Sequence, residues 1–227
     1  MIAAIVVAAG RGIRFGSDVP KQYLKINNKP VLSYSLLALE RYPAIDSVVV
    51  VAALEWKPYI ERDIIRRFEI RKVAAIVAGG EQRQDSVNAG LTAISASCEY
   101  VAVHDAVRPF FSSELLDRVI AGCREADACI PAIASRDTVK QVRESFVVQT
   151  LPRETLRLAQ TPQIFRRDFL LRAFQRASEK KLLGTDEASL VEAAGGRVAW
   201  VDGDEQNLKI TTPLDLKFAE LILEGNV

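Results

Sequence analysis

The sequence predicts an α/β fold, a Rossmann-like three-layer sandwich with a mostly parallel sheet, and two observations carry this prediction. First, short runs rich in β-branched residues recur along the chain with little polar alternation, as in strands buried on both faces of a sheet. Second, each run is followed by a stretch whose apolar residues return with helical spacing. Steady alternation of strand and helix indicates parallel strands joined by right-handed crossovers.

The elements of the first half of the chain follow from these two patterns. The predicted strands are 2–8, 47–53, 73–77, 100–104 and 129–134. The predicted helices between them are 30–41, 58–68, 85–97 and 112–126. The last of these helices shows the signals most clearly, because the cap candidates Ser112 and Ser113 precede a helical repeat of apolar residues.

The alternation stops near Arg136. Two strand-like pieces, 138–142 and 146–151, have too little apolar surface to form a core of their own. We interpret the segment from about 136 to 160 as a β-ribbon arm that projects from the sandwich and needs a partner to cover it. Beyond it we expect helices at 167–181 and 186–194, a strand at 197–201 and a last helix capped by Thr212. The chain, 1–227, is thus predicted to be one domain with a protruding arm.

The composition argues against several classes of function. The 30 Lys+Arg residues balance 29 Asp+Glu residues, so the chain lacks the basic excess of nucleic-acid-binding and membrane-surface proteins. No apolar run approaches the length of a membrane span. Three cysteines without a C-x-x-C pair predict neither a disulfide framework nor a zinc site. We expect a cytoplasmic protein that acts on small molecules and binds neither nucleic acid nor membrane.

Small residues close the first predicted strand, in the run Ala8-Ala9-Gly10-Arg11-Gly12. Such a loop lets backbone N–H groups approach and cradle a phosphate, and the cations Arg14 and Lys21 follow it. The spacing does not fit a dinucleotide-binding loop, because Phe15 stands where G-x-G-x-x-G needs glycine, and the P-loop sequence is absent. The alternative from these residues alone is an ordinary strand-to-loop turn with solvated basic side chains.

The run from 8 to 22 resembles the signature of the nucleoside-diphosphate-sugar pyrophosphorylase superfamily. Within it, the chain is most similar to the 2-C-methyl-D-erythritol 4-phosphate cytidylyltransferase family of the non-mevalonate isoprenoid pathway. The resemblance covers essentially the whole chain, because further motifs follow in the family's order at 79–87, 104–109, 136–138, 161–163, 185–188 and 207–211. Two positions depart from the family's usual pattern: Val7 stands for a proline and Glu81 for an aspartate.

The resemblance implies a homodimeric, Mg²⁺-dependent enzyme that transfers CMP from CTP to a sugar-alcohol phosphate and releases pyrophosphate. The arm of one subunit would reach the active site of its partner. The residues implied for nucleotide binding are Ala8, Ala9, Gly10, Gly12, Gly80, Glu81, Ser86, Asp105 and Ala106. The residues implied for binding the acceptor, the sugar-alcohol phosphate, are Thr138, Arg153, Thr161, Thr185 and Lys209. The implied catalytic cations are Arg14, Lys21, Arg153 and Lys209, and Asp105 is the candidate metal ligand.

Structural interpretations of several of these residues stay open. Ser86 fits a first-turn residue of its helix, and Asp105 fits a plain strand exit in contact with Arg108. His104 is the single histidine, and a lone histidine is more often a structural hydrogen-bonding group than a catalyst. The charges of the arm are, by themselves, typical of a solvated ribbon.

Three other functions compete with the cytidylyltransferase hypothesis. A ribitol 5-phosphate cytidylyltransferase shares the scaffold and chemistry, although its opening loop usually resembles Leu-Ala-Gly-Gly rather than Val7-Ala8-Ala9-Gly10. A catalytically inert nucleotide-binding protein would not need both Arg14 and Lys21. An NAD-binding dehydrogenase is disfavoured by Phe15.

The residue types also fit transfer to a phosphate monoester. The sequence shows no Ser-His-Asp order, no Cys–His pair and no histidine cluster. A phosphate acceptor is already an anion at neutral pH and needs no general base. It needs cations and alignment to overcome repulsion from the triphosphate.

Overall fold

This computed structural model describes residues 1–10 and 19–225 of the chain. The strands in these residues are β1 (Ile2–Ala8), β2 (Lys25–Ile26), β3 (Lys29–Pro30), β4 (Ile45–Ala52), β5 (Val73–Ala78), β6 (Tyr100–Asp105), β7 (Ala128–Ala134), β8 (Lys140–Arg143), β9 (Phe146–Thr150), β10 (Arg157–Ala159), β11 (Gln163–Arg166) and β12 (Val198–Asp202). Eight of them form the main sheet in the order β10-β7-β11-β6-β1-β4-β5, with β12 also paired to β7. The helices are α1 (Val31–Arg41), α2 (Lys57–Tyr59), which continues as a π-helix (Ile60–Arg66), α3 (Arg83–Ala93), α4 (Ser113–Arg124), α5 (Arg167–Glu179), α6 (Glu187–Ala193) and α7 (Pro213–Leu223).

The first strand lies in the middle of this sheet with a parallel neighbour on each side. Ile5 of β1 is in register with Val49 of β4 and with Val103 of β6. Because the three strands run the same way, their carboxyl ends meet at one edge of the sheet. The mostly parallel α/β fold predicted from the sequence is therefore confirmed.

Both faces of the sheet are buried, as the scarcity of polar alternation predicts. Along β1, Ala4 and Val6 pack in one apolar cluster with α1 and α4, whereas Ala3 and Ile5 pack in a second cluster with α3, α5 and α6. Each of these four side chains is fully buried. The layers are thus helices, sheet, helices. None of the helices in the described part of the chain is long and apolar enough to cross a membrane.

Two strands of the sheet, β10 and β11, were not predicted. β11 enters between β6 and β7 and runs antiparallel to both, with Phe165 opposite Val101 of β6 and Ala128 of β7. It has four residues, too few for a periodic pattern, and tertiary pairing determines its conformation.

The projecting ribbon is shorter than the segment predicted for it. β8 and β9 form a separate antiparallel hairpin, and every residue in both strands is exposed. Within the predicted arm of about 136–160, β10 instead returns to the main sheet and pairs antiparallel with β7. The last helix begins as predicted, with the Thr212 hydroxyl accepting a hydrogen bond from the backbone N–H of Asp215.

His104 is buried at the end of β6, where it joins three parts of the chain. Its Nε2 lies 3.1 Å from the carbonyl oxygen of Arg108, and its Nδ1 lies 3.1 Å from the hydroxyl of Thr161. The neutral tautomer protonated at Nε2 satisfies both contacts, with the Thr161 hydroxyl donating to Nδ1. Burial lowers the pKa of His104 to about 3. The structural interpretation of this histidine fits its surroundings.

We expect the His104 imidazole to stay neutral from about pH 7.5 to about pH 5, across the ordinary histidine pKa of about 6.5. As the single histidine, it gives one set of ring signals in NMR spectra. Because the unfolded state binds this proton and the folded state does not, the free energy of unfolding should fall below about pH 6.5, by at most about 1.4 kcal/mol per pH unit. Urea unfolding of His104→Gln should lack that contribution. A ring that titrates near its ordinary pKa would contradict this account.

Candidate active site

A cleft of about 870 Å³ opens at the carboxyl ends of β1, β5 and β6. This is the edge at which open α/β sheets bind ligands. Nine of the site residues predicted from the sequence line the cleft: Ala8, Ala9, Gly10, Lys21, Gly80, Glu81, Ser86, Asp105 and Lys209.

Gln22 holds the first strand to the segment that carries Lys21. Its buried side-chain amide donates hydrogen bonds to the carbonyl oxygens of Ala8, at 2.6 Å, and Gly10, at 2.9 Å. Lys21 begins the short 3₁₀ helix to which Gln22 belongs. The bidentate contact therefore fixes the Lys21 backbone relative to the end of β1.

An aromatic cluster packs against Tyr23 of the same 3₁₀ helix. The ring of Tyr23 stacks on Trp56 with centroids 4.3 Å apart, and it makes an edge-to-face contact with Tyr59 with centroids 5.7 Å apart. Aromatic pairs at these distances add stabilisation beyond their buried area. The position of Lys21 thus depends on packing against the segment after β4.

The glycine turn after β5 packs directly against the first loop. A Cβ atom on Gly79 would lie 2.2 Å from Cβ of Ala9, so only glycine permits this approach. The Ser86 hydroxyl accepts from the backbone N–H of Gly80 and donates to the carbonyl of Gln82, each at 3.1 Å. Ser86 therefore lines the cleft and also stabilises the turn at the start of α3. The position at the cleft and the structural role are compatible.

Asp105 is the buried anion of the cleft, and three cations surround its carboxylate. Arg83 Nε lies 3.3 Å from Oδ1, while Lys209 Nζ and Arg108 Nε lie 2.7 Å and 3.8 Å from Oδ2. Burial alone raises the pKa of this carboxyl, but Arg83, Lys209 and Arg108 outweigh burial and hold the pKa well below its usual range. Asp105 is ionised at neutral pH.

Lys209 reaches Asp105 because the loop before α7 is fixed to the end of β6. Arg108 Nη1 donates to the carbonyl of Asn207 at 2.7 Å, and the backbone N–H of Ile210 donates to the carbonyl of Val107 at 2.9 Å. The fully buried Asn207 donates to the carbonyl of Thr161 at 2.9 Å. These contacts hold the segment that carries Lys209 at the cleft, beside Asp105.

Arg83 and Glu187 belong to the site but were missed by the sequence analysis. Arg83 lines the cleft, and its Nη1 donates to both carboxylate oxygens of Glu187 at 2.7 Å. The Glu187 side chain is 1% exposed. Arg83 lies in the motif block 79–87 and Glu187 in the block 185–188, so their place in these two blocks was the available signal.

Five of the predicted site residues that the structure describes do not line the cleft, and three of these lie outside the arm. Ala106 is fully buried, and the Thr161 hydroxyl, also buried, accepts from the backbone N–H of Asp105 at 3.0 Å. Thr161 therefore supports Asp105 from behind. Thr185 is exposed in the turn before α6. Their predicted contacts with the acceptor or nucleotide stay predictions.

The structure places the two arm residues apart from this cleft. Thr138 and Arg153 are exposed, and Arg153 Nη1 donates to the carbonyl of Arg136 at 3.1 Å. Gly12 and Arg14, the remaining predicted residues, lie outside the described residues.

The described residues hold no group of three or more His, Cys, Asp or Glu side chains arranged for a metal ion. The cleft contributes the buried carboxylate of Asp105, with Glu81 exposed at its rim. A site of this kind fits Mg²⁺ bound largely through substrate phosphates, since Mg²⁺ commonly uses only one or two protein carboxylates there.

Comparison with known proteins gives the same family as the sequence motifs. The family model described as 2-C-methyl-D-erythritol 4-phosphate cytidylyltransferase (IspD) matches residues 2–225. A relative with that name from Pelotomaculum thermopropionicum is 45% identical over 99% of this chain and 94% of its own. Another with that name, from Geotalea uraniireducens, is 42% identical over 99% of this chain and 97% of its own.

Solved structures are similar over nearly the whole chain. The 4-diphosphocytidyl-2C-methyl-D-erythritol synthase of Anaerococcus prevotii is 31% identical, with a TM-score of 0.86 over 98% of this chain and 96% of that one. The 2-C-methyl-D-erythritol 4-phosphate cytidylyltransferase of Francisella tularensis is 33% identical, with a TM-score of 0.82 over 96% of this chain and 97% of that one. With its motifs in order, its cleft at the expected edge of the sheet and these full-length matches, the chain belongs to the 2-C-methyl-D-erythritol 4-phosphate cytidylyltransferase family.

Proposed function

We propose that this protein transfers CMP from CTP to 2-C-methyl-D-erythritol 4-phosphate, forming 4-diphosphocytidyl-2-C-methyl-D-erythritol and pyrophosphate in isoprenoid precursor biosynthesis. Family membership over residues 2–225 supports the reaction. The observation that carries the proposal is the cleft itself. It sets two lysines, Lys21 and Lys209, around a space bordered by the backbone of 8–10 and the glycine turn at 79–80.

The nucleotide half of the site is proposed at the glycine turn and the first loop. Backbone N–H groups near Ala8, Ala9 and Gly10 would face the triphosphate. Gly80 and Ser86 would meet the cytosine. Asp105 would lie by the ribose and phosphates, and the neighbouring Ala106 would contribute backbone only.

Mg²⁺ would be held by the triphosphate oxygens with Asp105 as the nearby protein carboxylate, and when bound it offsets negative charge on the phosphates. The carboxylate is already ionised by its surrounding cations, so it needs no proton release to face a metal ion.

In the transfer, an oxygen of the acceptor phosphate attacks the α-phosphorus of CTP, and the bond from that phosphorus to the α–β bridging oxygen breaks. Pyrophosphate leaves with the electron pair of that bond. Lys21, with Arg14, would stabilise the charge growing on the α-phosphoryl and leaving groups. Lys209 and the partner's Arg153 would hold the acceptor phosphate in line.

The active assembly is proposed to be a homodimer built through the hairpin of β8 and β9. Val142, Phe146, Val147 and Val148 on this hairpin are 55–75% exposed, an unusual apolar surface for a two-stranded ribbon. A groove at its base contains the half-exposed Leu158 and Phe218. Packing of a second copy would cover both surfaces and carry Thr138 and Arg153 toward the neighbouring cleft.

The reaction is proposed to take place in the cytoplasm. The three cysteines are buried free thiols in the structure, which suits a reducing compartment.

The purified protein with CTP and Mg²⁺ should release pyrophosphate with 2-C-methyl-D-erythritol 4-phosphate and not with ribitol 5-phosphate. A coupled pyrophosphate assay measures both acceptors side by side. Release with ribitol 5-phosphate alone would reassign the acceptor. Tight CTP binding without release for either acceptor would favour the inert nucleotide-binding alternative.

Lys21→Ala should lower kcat by about 10²–10³-fold, as is typical when one preformed transition-state contact is lost. Lys25→Ala is the matched control, because Lys25 is an exposed lysine four residues on that does not line the cleft. Near-normal turnover by Lys21→Ala would remove this residue from the catalytic assignment.

Mixing Lys21→Ala protein with Arg153→Ala protein tests the dimer. If Arg153 acts across the interface, each hybrid dimer keeps one intact site, so subunit exchange at equal amounts should restore about a quarter of the wild-type activity. Phe146→Asp should shift the protein to monomers in sedimentation velocity and abolish this rescue. No recovery on mixing variants that do exchange subunits would place Arg153 in its own subunit's site or outside the mechanism.

A further inference from the structure

The ion pair of Arg83 and Glu187 links α3 to α6 beneath the cleft, and none of the catalytic roles above uses it. The residues are 104 positions apart, and both Glu187 oxygens accept from Arg83 Nη1 at 2.7 Å. The same guanidinium turns its Nε to Asp105 Oδ1 at 3.3 Å. Arg83 therefore bridges two buried carboxylates, those of Asp105 and Glu187.

The Glu187 contact decides which way the guanidinium points. With Nη1 held by Glu187, Arg83 presents Nε alone to Asp105 and approaches it at Oδ1. Oδ2 stays available to Lys209 at 2.7 Å. Without Glu187, an arginine fork could turn to grip both oxygens of Asp105, the geometry that guanidinium and carboxylate favour, or swing toward anionic ligands in the cleft.

Burial makes this pair sensitive to charge. The Glu187 side chain is 1% exposed and the Arg83 side chain 29% exposed, so removing one partner leaves the other poorly solvated. Burial raises the pKa of Glu187, and Arg83 opposes that rise. The contact with Glu187 thus holds the side chain of Arg83, which lines the cleft. It differs in this from an ion pair on the exposed surface, which contributes little.

We propose that Glu187 is a positioning residue for nucleotide binding: by holding Arg83, it sets the orientation of the Asp105 carboxylate that faces CTP. This inference rests on the proposed function, because it assigns the nucleotide side of the cleft to Asp105. Glu187 itself does not line the cleft and acts through Arg83.

The test is the affinity for CTP, measured by calorimetry with Mg²⁺ present and no acceptor. Glu187→Gln keeps the shape of the side chain and removes its charge, and we expect the Kd for CTP to rise about 10- to 100-fold, as for loss of a charged hydrogen-bond partner. Glu192→Gln is the matched control, because Glu192 is exposed on the same helix. Its Kd should equal that of the wild type.

A double-mutant cycle separates positioning from a general loss of packing. If Glu187 acts through Arg83, the Kd of Arg83→Gln/Glu187→Gln should equal that of Arg83→Gln alone. Losses that multiply in the double variant, or a Glu187→Gln protein that binds CTP as the wild type does, would overturn the proposal.

Folding is followed in parallel by thermal unfolding of each variant. Should Glu187→Gln fail to fold, Glu187→Asp takes its place, since it keeps the charge and withdraws the carboxylate by one methylene group. We then expect weaker CTP binding at an unchanged unfolding midpoint, and wild-type binding would count against the proposal. Wild-type protein that binds CTP but releases no pyrophosphate with either acceptor would contradict the proposed function and leave the result for Glu187 standing on its own.

Discussion

The cleft depends on one buried carboxylate. Asp105 ends β6, and its charge gathers Arg83 from α3, Arg108 from the loop after β6 and Lys209 from the segment before α7. The ion cluster therefore joins α3 and the segment before α7 to the end of β6. A buried carboxylate without these cations would take up a proton, and the attraction that holds these segments together would be lost.

The opposite border of the cleft is held without charge. Gly79 lies against Ala9 at a distance that no side chain would allow, and the Gln22 amide ties the same loop to the 3₁₀ helix of Lys21. The backbone of the first loop is therefore held by close packing and amide hydrogen bonds, whereas Arg83, Arg108 and Lys209 are held by ion pairs with Asp105. The two sides of the cleft are thus stabilised by different kinds of interaction.

The sequence predicted the central parallel sheet well because buried strands leave a strong local pattern, seen in the β-branched runs of β1, β4 and β6. It predicted the cleft lining at Ala8, Gly80 and Lys209 through motif resemblance. It missed β11, whose four residues carry no period, and the contact of Arg83 with Glu187, which joins positions 104 residues apart. Neither is encoded locally: both exist only once the strands and helices have packed.

The order of the strands along the chain also affects folding during synthesis. All three sheet neighbours of β7, which are β10, β11 and β12, follow it in the chain, whereas β1, β4, β5 and β6 can pair among themselves beforehand. During translation at about 5–20 residues per second, a buried-type apolar strand therefore waits several seconds for its partners. In that interval one edge of β6 and both edges of β7 lack their partner strands, and unpaired strand edges promote aggregation. A chain that terminates prematurely before residue 157 would lack every partner strand of β7.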